Sequence, residues 1–328
     1  MKAILVRKPG GPEELYLGEF PTPEPKSDEL LVRVKATALN RADIMQREGK
    51  YPPPEGASPI LGLEMAGVVE KVGADCTGWH WGDRVCGLLP GGGYAEYAVI
   101  PARMAIPIPD NLTFEEAAAI PEAFLTAYQA LHWVGKLQAG ETVLIHAGAS
   151  GVGTAAIQLA REAGATVIVT SSSARKLDFC LHLGAKVGIN YSDGEFAAGV
   201  LEATEKQGVN LLLDCIGAPI WEQNLRCLAL DGRMVILAVM GGRKIPHFDL
   251  APILLRRLQI MGTTLRNRSQ AYKIELTREF VKHILPLIEE GRVKPIIDSV
   301  FPWEQVQEAH RRMEQKLNVG KIVLKVGE

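Results

Sequence analysis

One segment constrains the fold of this chain more than any other. Residues 142–153 read TVLIHAGASGVG, a buried-strand pattern that runs into a glycine-rich turn and then into a helix starting near Gly151. This order brings main-chain N–H groups and a helix N-terminus to one point, where a pyrophosphate can be held without a charged side chain. Gly153 is predicted to let the helix pack closely on the strand.

The turn departs at one position from the strict dinucleotide pattern G-x-G-x-x-G, because Ser150 stands where the second glycine would be. A serine hydroxyl can still donate to a phosphate oxygen. We therefore expect Ser150, Gly151, Val152 and Gly153 to bind the pyrophosphate. The alternative is a glycine-rich turn with a purely structural role, and the β/α units that follow favour the nucleotide interpretation.

From about residue 121, β-rich runs alternate with segments of helical period. Near-continuous apolar runs at residues 143–145 and 211–213 suit strands buried on both faces of a parallel sheet. Alternating units of this size predict a doubly wound α/β domain. Strands are expected at residues 142–147, 166–170, 210–215, 233–239 and 258–263, and helices at residues 152–163, 174–183 and 221–229.

Residues 1–120 have a different character. Short β-rich runs are separated by glycine and proline, and 13 of the 20 prolines precede residue 110. That density argues against long helices and predicts an all-β region. The tail, with a helix-rich piece at residues 270–292 and strands at residues 296–300 and 321–326, is expected to fold back onto it.

Composition restricts the possible partners. A net charge of −2, with 47% hydrophobic and 23% charged residues, is typical of a soluble globular protein and offers no positive field for nucleic acid or an anionic membrane. No apolar run approaches the roughly 18 residues that cross a bilayer. The first residues lack the pattern of a secretion signal, so a cytoplasmic location is expected. The five cysteines form no C-x-x-C pair that would indicate a zinc knuckle or a redox dithiol.

The cofactor preference can be predicted from the end of the second strand. Proteins that bind NAD in this way place an acidic residue about 20 positions after the glycine-rich turn. Here residues 169–176 read VTSSSARK, with three hydroxyls, two cations and no carboxylate. Ser172 and Lys176 would attract a 2′-phosphate, which predicts NADPH. In the alternative interpretation Arg175 and Lys176 are solvated residues of a helix start, where cations oppose the helix dipole unless an anion lies beside them.

Six motifs in the correct order then identify a family. They are LNRAD at residues 39–43, GLEMAG at 62–67, GDRV at 82–85, GGGYAEY at 91–97, the glycine-rich signature within residues 140–161, and GKIV at 320–323. The chain resembles the quinone oxidoreductase (zeta-crystallin-like) branch of the medium-chain dehydrogenase/reductase superfamily over nearly its whole length. Within that branch it is most similar to the tumour-suppressor-inducible NADPH:quinone oxidoreductases.

The resemblance implies a domain plan and an oligomer. A GroES-like, β-rich catalytic domain would comprise residues 1–120 and be completed by residues 268–328. A Rossmann domain would occupy residues 121–267, with the active site in the cleft between the two. Members of this branch commonly form homodimers by pairing the last Rossmann strand, here residues 258–263, across a two-fold axis.

The resemblance also implies that the catalytic metal has been lost. Zinc enzymes of the superfamily carry a cysteine and a histidine where this chain has Asn40 and Leu63, and no third cysteine stands near residues 121–126. An amide and an aliphatic side chain cannot replace a thiolate and an imidazole as zinc ligands. Asp43 and Glu64 are expected to serve as hydrogen-bond acceptors. Without a Lewis acid, alcohol oxidation is disfavoured, whereas a quinone or an enone is already electrophilic.

Individual site residues follow from the same resemblance. Asn40, Tyr51 and Thr126 are expected beside the nicotinamide and the acceptor, with the Tyr51 phenol bonded to a carbonyl oxygen or shielding the ring. The alternative for Tyr51 is a surface aromatic packed on prolines. His146 is interpreted as a satisfied core histidine. Cofactor contacts are also expected from residues after the Rossmann strands and in the tail, namely Ser172, Lys176, Tyr191, Cys215, Ile216, Met240, Gly241, Gly242, Leu265 and Asn318.

Three functions remain open at this stage. The first is NADPH-dependent reduction of a quinone or a similarly electron-poor carbonyl. The second is reduction of an enoyl or alkenal double bond, with Tyr51 as proton donor to the carbon skeleton. The third, from a different class, is a non-catalytic NADPH-binding protein with a structural or RNA-binding role, against which the near-neutral charge and the lack of aromatic–basic motifs count.

Overall fold

The computed structural model describes residues 1–327 and divides into two compact units. The first unit consists of Met1–Leu125 together with the chain from Leu265 onward, and the second is Thr126–Thr264.

The described residues form fifteen strands and eleven α-helices, connected by turns, loops and short 3-10 or π-helical segments. The strands are β1 (Lys2–Val6), β2 (Leu15–Glu19), β3 (Glu29–Ala38), β4 (Glu64–Val72), β5 (Arg84–Leu88), β6 (Tyr97–Pro101), β7 (Ala105–Pro107), β8 (Thr142–Ile145), β9 (Thr166–Ser171), β10 (Val187–Asn190), β11 (Val209–Asp214), β12 (Leu228–Ile236), β13 (Gln259–Gly262), β14 (Ile297–Pro302) and β15 (Lys321–Lys325). The helices are α1 (Arg41–Arg47), α2 (Phe114–Ala118), α3 (Pro121–Tyr128), α4 (Gly151–Glu162), α5 (Ala174–Leu183), α6 (Phe196–Ala203), α7 (Trp221–Cys227), α8 (Ala251–Leu255), α9 (Gln270–His283), α10 (Leu285–Glu289) and α11 (Val306–Glu314).

The first unit is built on a sheet with the order β14-β15-β3-β4-β5-β7, to which β6 adds by pairing with β3. Its pairs are antiparallel except β14 with β15, and β1 and β2 form a separate antiparallel pair. The tail strand β15 lies between β14 and β3, so the C-terminal segment completes this sheet as the tail was expected to do.

The expectation that residues 1–120 are all β is wrong in detail, because α1 and α2 lie there. Capping by side chains explains these short helices. The Thr113 hydroxyl accepts from the N–H of Glu116 at 3.2 Å, and the Glu116 carboxylate accepts from the N–H of Thr113 at 2.8 Å. This reciprocal pair stabilises a helix start that the high proline content of the region conceals.

The second unit contains a six-stranded parallel sheet in the order β10-β9-β8-β11-β12-β13. Its apolar core forms around β8, β9, β11 and β12, with Leu144, Ile168, Leu212 and Met234 all at most 1% exposed. The chain order of the strands reverses between β8 and β11, and ligands of such sheets bind at the carboxyl ends of the strands near that reversal. The doubly wound prediction is therefore confirmed.

Two strands of the parallel sheet differ from the prediction by two or more residues, β8 at its end and β12, which ends at Ile236, at both ends. The strand expected at residues 142–147 ends at Ile145, and Ala147 has a left-handed φ of 52° that no strand can continue through. The strand expected at residues 233–239 is β12, which begins earlier, at Leu228, because Leu228 already pairs with Val209.

Candidate functional site

The turn between β8 and α4 presents free main-chain donors. Ser150 caps α4, since its hydroxyl oxygen accepts from the N–H of Gly153 at 3.0 Å. Gly151 and Val152 occupy the first two helical positions, where an N–H group has no intrahelical acceptor. The Ser150 hydroxyl hydrogen also stays available for donation. Three donors at a helix N-terminus fit a phosphate group.

The glycines of this turn are required by close packing. A Cβ atom on Gly153 would lie 2.4 Å from the carbonyl oxygen of Ala147, and one on Gly148 would lie 2.8 Å from Cβ of Val169 in β9. The left-handed Ala147 adds a conformation that costs on the order of 1 kcal/mol for a residue with a side chain. The chain thus tolerates local strain to hold the donors against the ends of β8 and β9, and the turn fits a dinucleotide.

Three residues that were predicted to contact the cofactor lie after the ends of β9 and β10. Ser172 is exposed in the loop before α5, and Lys176 is the third residue of that helix. Tyr191, which follows β10, is 46% exposed. The Ser192 hydroxyl donates to the carbonyl oxygen of Ser172 at 3.4 Å, which joins the two loops. The structure therefore brings these residues to one edge of the sheet.

The loops after β11 and β12 are joined by main-chain hydrogen bonds. The N–H of Met240 donates to the Cys215 carbonyl at 3.2 Å, and the N–H of Gly241 donates to the Ile216 carbonyl at 2.8 Å. Gly242 accepts from Ala218 in the same ladder. Burial raises the pKa of the Cys215 thiol to about 12, which keeps it neutral. The two loops that were predicted to contact the cofactor are thus joined to each other.

His146 belongs to a buried network that supports the same edge. Its ring nitrogens contact Thr170 Oγ1 at 2.8 Å and Asn224 Oδ1 at 2.7 Å, and burial lowers its pKa. The Asn224 amide donates to the Asp214 carboxylate at 3.1 Å, which in turn accepts from the N–H of Ile216 at 2.7 Å. The interpretation of His146 as a satisfied core residue is confirmed, and the network fixes the loop after β11.

In the first unit, Asn40 lies inside a buried ion cluster. Its amide nitrogen donates to Glu64 Oε1 at 2.8 Å, and its amide oxygen accepts from the Lys321 ammonium at 2.7 Å. Lys321 also donates to Glu64 Oε1 at 2.6 Å, and the two side chains are 5% and 0% exposed. The Asn40 amide is therefore held in one orientation. Lys321 was not among the predicted site residues, although it stands in the GKIV motif.

Asp43 extends this cluster as an acceptor, the role expected for it and Glu64. Its carboxylate accepts from the N–H of Asn40 at 2.8 Å, the N–H of Gly62 at 3.1 Å and the phenol of Tyr94 at 3.3 Å. Burial raises the pKa of Asp43 to about 6, against the lowering effect of the hydrogen bonds from the Asn40 and Gly62 N–H groups and of Lys321.

A third carboxyl group at this place, that of Glu122, was not predicted. The N–H of Glu122 donates to Glu64 Oε2 at 2.8 Å, while Oε2 of Glu122 is buried without a hydrogen-bond partner in residues 1–327. Burial, and then Glu64, raise the pKa of Glu122 to about 7, opposed by Lys321 and Lys273. The available signal was a single carboxylate within the apolar stretch AAAIPEAFLTA at residues 117–127.

Tyr51 and Thr126 lie in different units. Tyr51 is half-buried in the first unit, and the guanidinium of Arg266 lies 5.1 Å from its ring centroid. Burial raises the pKa of the Tyr51 phenol. In the second unit, the Thr126 hydroxyl is buried and has no hydrogen-bond partner among the described residues. Such a hydroxyl is suited to a ligand, because burying a polar group without a partner costs free energy.

The remaining predicted contacts, Leu265 and Asn318, lie in the first unit. The Leu265 side chain is 5% exposed, so only its main chain is suited to a polar ligand. The Asn318 amide nitrogen donates to the carbonyl oxygen of Gly320 at 2.8 Å, which leaves its amide oxygen for other partners. Cofactor contacts of both residues stay predictions.

Other features bear on the assignment of the site. Within residues 1–327, no group of three or more His, Cys, Asp or Glu side chains is arranged to hold a metal ion. None of the helices in that range is both long and apolar enough to span a bilayer. A cavity of about 550 Å³ opens at the amino ends of the parallel strands, lined in part by Thr142, Thr166 and Asn210. It lies at the edge opposite to that used by ligands of such sheets.

Comparison with known proteins decides the family. Residues 26–110 match the alcohol dehydrogenase GroES-like domain, and residues 151–282 match the family of zinc-binding dehydrogenases. The quinone oxidoreductase of Rattus norvegicus is 30% identical over 99% of this chain and 97% of its own length. The chain belongs to the medium-chain dehydrogenase/reductase superfamily, in its quinone oxidoreductase-like branch. It is therefore an oxidoreductase of this superfamily, and the predicted family is confirmed.

Other members of the superfamily resemble the chain equally well. The synaptic vesicle membrane protein VAT-1 homolog of Homo sapiens is 32% identical over 100% of this chain and 87% of its own length. Among solved structures, an NAD-dependent alcohol dehydrogenase has a TM-score of 0.89 at 35% identity, with 100% of both chains covered. A mycobacterial protein complexed with NADPH has a TM-score of 0.88 at 30% identity, covering 99% and 100% of the two chains. The CurK enoyl reductase has a TM-score of 0.88 at 28% identity, with 99% of each chain covered.

These structures confirm the expected fold of a GroES-like domain with a Rossmann-type domain. They also associate the superfamily with a nicotinamide cofactor. The closer similarity to the tumour-suppressor-inducible enzymes stays a prediction.

The raised pKa of Glu122 predicts a pH-dependent contribution to stability. Because its pKa of about 7 in the folded chain lies above the ordinary value of 4.5, protonated Glu122 favours folding at low pH, and this contribution is lost as the pH rises through about 7. The side chain of the variant Glu122→Gln cannot ionise, so the variant does not lose stability in this way. Its melting temperature relative to that of the unmutated protein should therefore be higher at pH 8 than at pH 5, by roughly 2–4 °C.

Thermal unfolding of both proteins at the two pH values measures this difference. Glu55→Gln, which changes an exposed carboxylate in the same unit, serves as the matched control and should show no such change. A Glu122→Gln difference that is the same at pH 5 and pH 8 would contradict the assignment.

Proposed function

We propose that this protein reduces quinones, or similarly electron-poor carbonyl compounds, with NADPH and without a metal ion. The observation that carries the proposal is the capped turn with its free N–H groups at Gly151 and Val152, followed at the next strand end by hydroxyls and a cation in place of a carboxylate. The quinone oxidoreductase relative, alike over nearly the full length of both chains, supports the reaction class.

The preference for NADPH rests on Ser172 and Lys176. A carboxylate at this strand end would bind a ribose hydroxyl and repel a 2′-phosphate, whereas an ammonium group attracts the phosphate. One similar structure is complexed with NADPH and another is described as NAD-dependent, so the family alone does not choose between the two cofactors. The chemistry of residues 169–176 favours NADPH.

The chain's own residues bind and orient the reactants. The chemistry that the reduced cofactor supplies when bound is the delivery of a hydride to the acceptor. The turn at Ser150 holds the pyrophosphate, and the Thr126 hydroxyl offers an unused polar group to the nicotinamide. Tyr51 donates a hydrogen bond to the acceptor oxygen as that oxygen gains negative charge, and the Asn40 amide, fixed by Lys321, shapes the acceptor side.

Independence of metal is supported by the donor set. At the positions of two zinc ligands of the superfamily stand Asn40 and the buried Leu63. The Asn40 amide oxygen already accepts from the Lys321 ammonium, and Glu64 is bonded to the same group. A cation of the chain itself thus neutralises the oxygens of this cluster, and these oxygens lack the soft partners that zinc prefers.

A second candidate function is reduction of an enoyl double bond. The similarity to the CurK enoyl reductase favours it, since the same cofactor domain serves both reactions. In that case Tyr51 would supply a proton to the carbon skeleton. The two candidates differ in which acceptor is turned over fastest.

The reaction can be tested by stopped-flow oxidation of NADPH with a panel of acceptors. We expect faster turnover with naphthoquinones or phenanthrenequinone than with a 2-enoyl thioester, and the same rate with and without EDTA. Faster reduction of the thioester would favour the enoyl reductase. Binding of NADPH with no turnover of any acceptor would favour a non-catalytic protein, and loss of activity in EDTA would contradict metal independence.

The cofactor assignment predicts a selective effect of Lys176→Glu. A carboxylate beside the 2′-phosphate should raise KM for NADPH by about 10-fold or more, which corresponds to about 1.4 kcal/mol, and should change KM for NADH much less. Lys186→Glu, placed at the amino-terminal edge of the same sheet, is the matched control and should leave both values unchanged. Equal effects of Lys176→Glu on the two cofactors would refute the role of this lysine.

We also propose that the protein is a cytoplasmic homodimer that pairs through β13. This strand ends the parallel sheet, and no strand within residues 1–327 pairs with its outer edge. The neighbouring helix α8 carries Leu254 and Leu255, which are 77% and 73% exposed, and such exposed apolar side chains mark contact surfaces. The five free cysteines suit a reducing compartment.

The dimer proposal predicts that Leu254→Asp combined with Leu255→Asp yields a monomer, because each carboxylate would be buried in the interface. Light scattering coupled to size-exclusion chromatography measures the mass. Leu317→Asp, at a side chain 52% exposed in the other unit, is the control and should stay dimeric. A monomeric unmutated protein, or a double variant of unchanged mass, would contradict the proposal.

A further inference from the structure

The first unit buries two arginine side chains in different ways. Arg47 is 1% exposed and contacts the carboxylate of Glu314. Arg266 is 5% exposed and donates instead to two neutral oxygens, the Pro90 carbonyl at 2.8 Å and Gln46 Oε1 at 2.7 Å. Its third nitrogen, Nη1, is buried without a hydrogen-bond partner among residues 1–327. Within the part of the chain that the structure describes, no carboxylate contacts Arg266 to neutralise its positive charge.

Such an arrangement is unfavourable for stability alone. Burying a charged group costs several kcal/mol unless a counter-charge and full hydrogen bonding offset the loss of water. The Arg266 side chain is nevertheless held firmly by its hydrogen bonds to Pro90 and Gln46. Its main chain is fixed as well, because the Lys273 ammonium donates to the Arg266 carbonyl oxygen at 2.7 Å. A rigid and unneutralised cation of this kind suggests a role in the chemistry of the site.

The charge of the Arg266 guanidinium acts on the ring of Tyr51. The guanidinium carbon lies 5.1 Å from the centroid of the Tyr51 ring, within the range of a cation–π contact. Tyr51 is the first residue of the loop YPPP at residues 51–54, and its ring is only half-buried. The contact with Arg266 therefore fixes the orientation of this ring. Burial raises the pKa of the Tyr51 phenol, Arg266 opposes that rise, and Glu122 adds to it.

We propose that Arg266 is the positioning residue for Tyr51: its guanidinium orients the ring, and its unneutralised charge makes the phenol a stronger hydrogen-bond donor to the reacting acceptor. This inference rests on the proposed function. In that reaction a reduced nicotinamide loses a hydride and is oxidised, the acceptor gains the hydride with its electron pair, and a solvent proton completes the reduced product. The negative charge that develops on the acceptor oxygen before the proton arrives is what the Tyr51 phenol stabilises.

A double-mutant cycle tests whether Arg266 acts through Tyr51. Steady-state kcat and KM are measured with NADPH and phenanthrenequinone for the unmutated enzyme, Arg266→Met, Tyr51→Phe and the double variant. Each single change should lower kcat on the order of 10-fold or more, with KM for NADPH altered less than about threefold. The double variant should be no slower than Tyr51→Phe alone, because the charge has no effect once the phenol is absent.

Two further variants separate this role from a structural one. Arg266→Lys keeps the charge but not the planar fork and should recover part of the lost kcat. Arg268→Met removes an arginine of the same unit that stacks on a different ring, with its guanidinium 4.6 Å from the centroid of Tyr272, and should leave kcat unchanged. If Arg266→Met does not fold, the cycle is completed with Arg266→Lys. The double variant of Arg266→Lys and Tyr51→Phe should then be no slower than Tyr51→Phe alone.

The outcomes distinguish the inference from the function on which it rests. Losses that multiply in the double variant, or an effect on KM for NADPH alone, would overturn the role of Arg266 while quinone reduction stands. The same holds if Tyr51→Phe has no effect in an active enzyme. An unmutated protein that turns over no quinone would instead refute the proposed function.

Discussion

The close packing of main chain between β8 and α4 is the constraint on which the rest of the site depends. A single carbon added at Gly153 would lie 2.4 Å from the Ala147 carbonyl oxygen, so no larger side chain fits without moving the backbone. This packing sets the N–H groups of Gly151 and Val152 at the carboxyl end of β8. Since all six strands of that sheet are parallel, the loops after β9, β11 and β12 meet the same edge, and one bound dinucleotide can reach several of them.

The two units use charge in opposite ways. The second unit is suited to bind an anion through the main-chain N–H dipoles at the start of α4, the Ser172 hydroxyl and the Lys176 ammonium near its surface. The first unit buries its charges, where Lys321 bonds to Glu64 and Asn40, and Asp43 accepts three hydrogen bonds. These hydrogen bonds with the carboxylate and ammonium groups explain why the Asn40 amide is rigid.

The parts of the fold that follow from periodicity were predictable. The glycine-rich turn, α5 and the parallel sheet could be inferred, because burial on two faces produces apolar runs and the glycines stand between a strand pattern and a helix pattern. The short helices α1 and α2 were missed, because capping pairs such as Thr113 with Glu116 are local and proline-rich surroundings conceal them. Lys321 and Glu122 were also missed as members of the site. Their roles depend on contacts with residues that are distant in the sequence, and the residues next to them in the chain do not indicate these contacts.

Isothermal titration calorimetry with NADPH measures whether the main chain of this turn holds the pyrophosphate. We expect one NADPH bound per chain and a loss of affinity of about 10-fold or more in Gly153→Ala. Gly262→Ala, where an added carbon meets open space, should bind as the unmutated protein does. Absence of binding by the unmutated protein, or equal affinity in folded Gly153→Ala, would show that this turn does not hold the pyrophosphate.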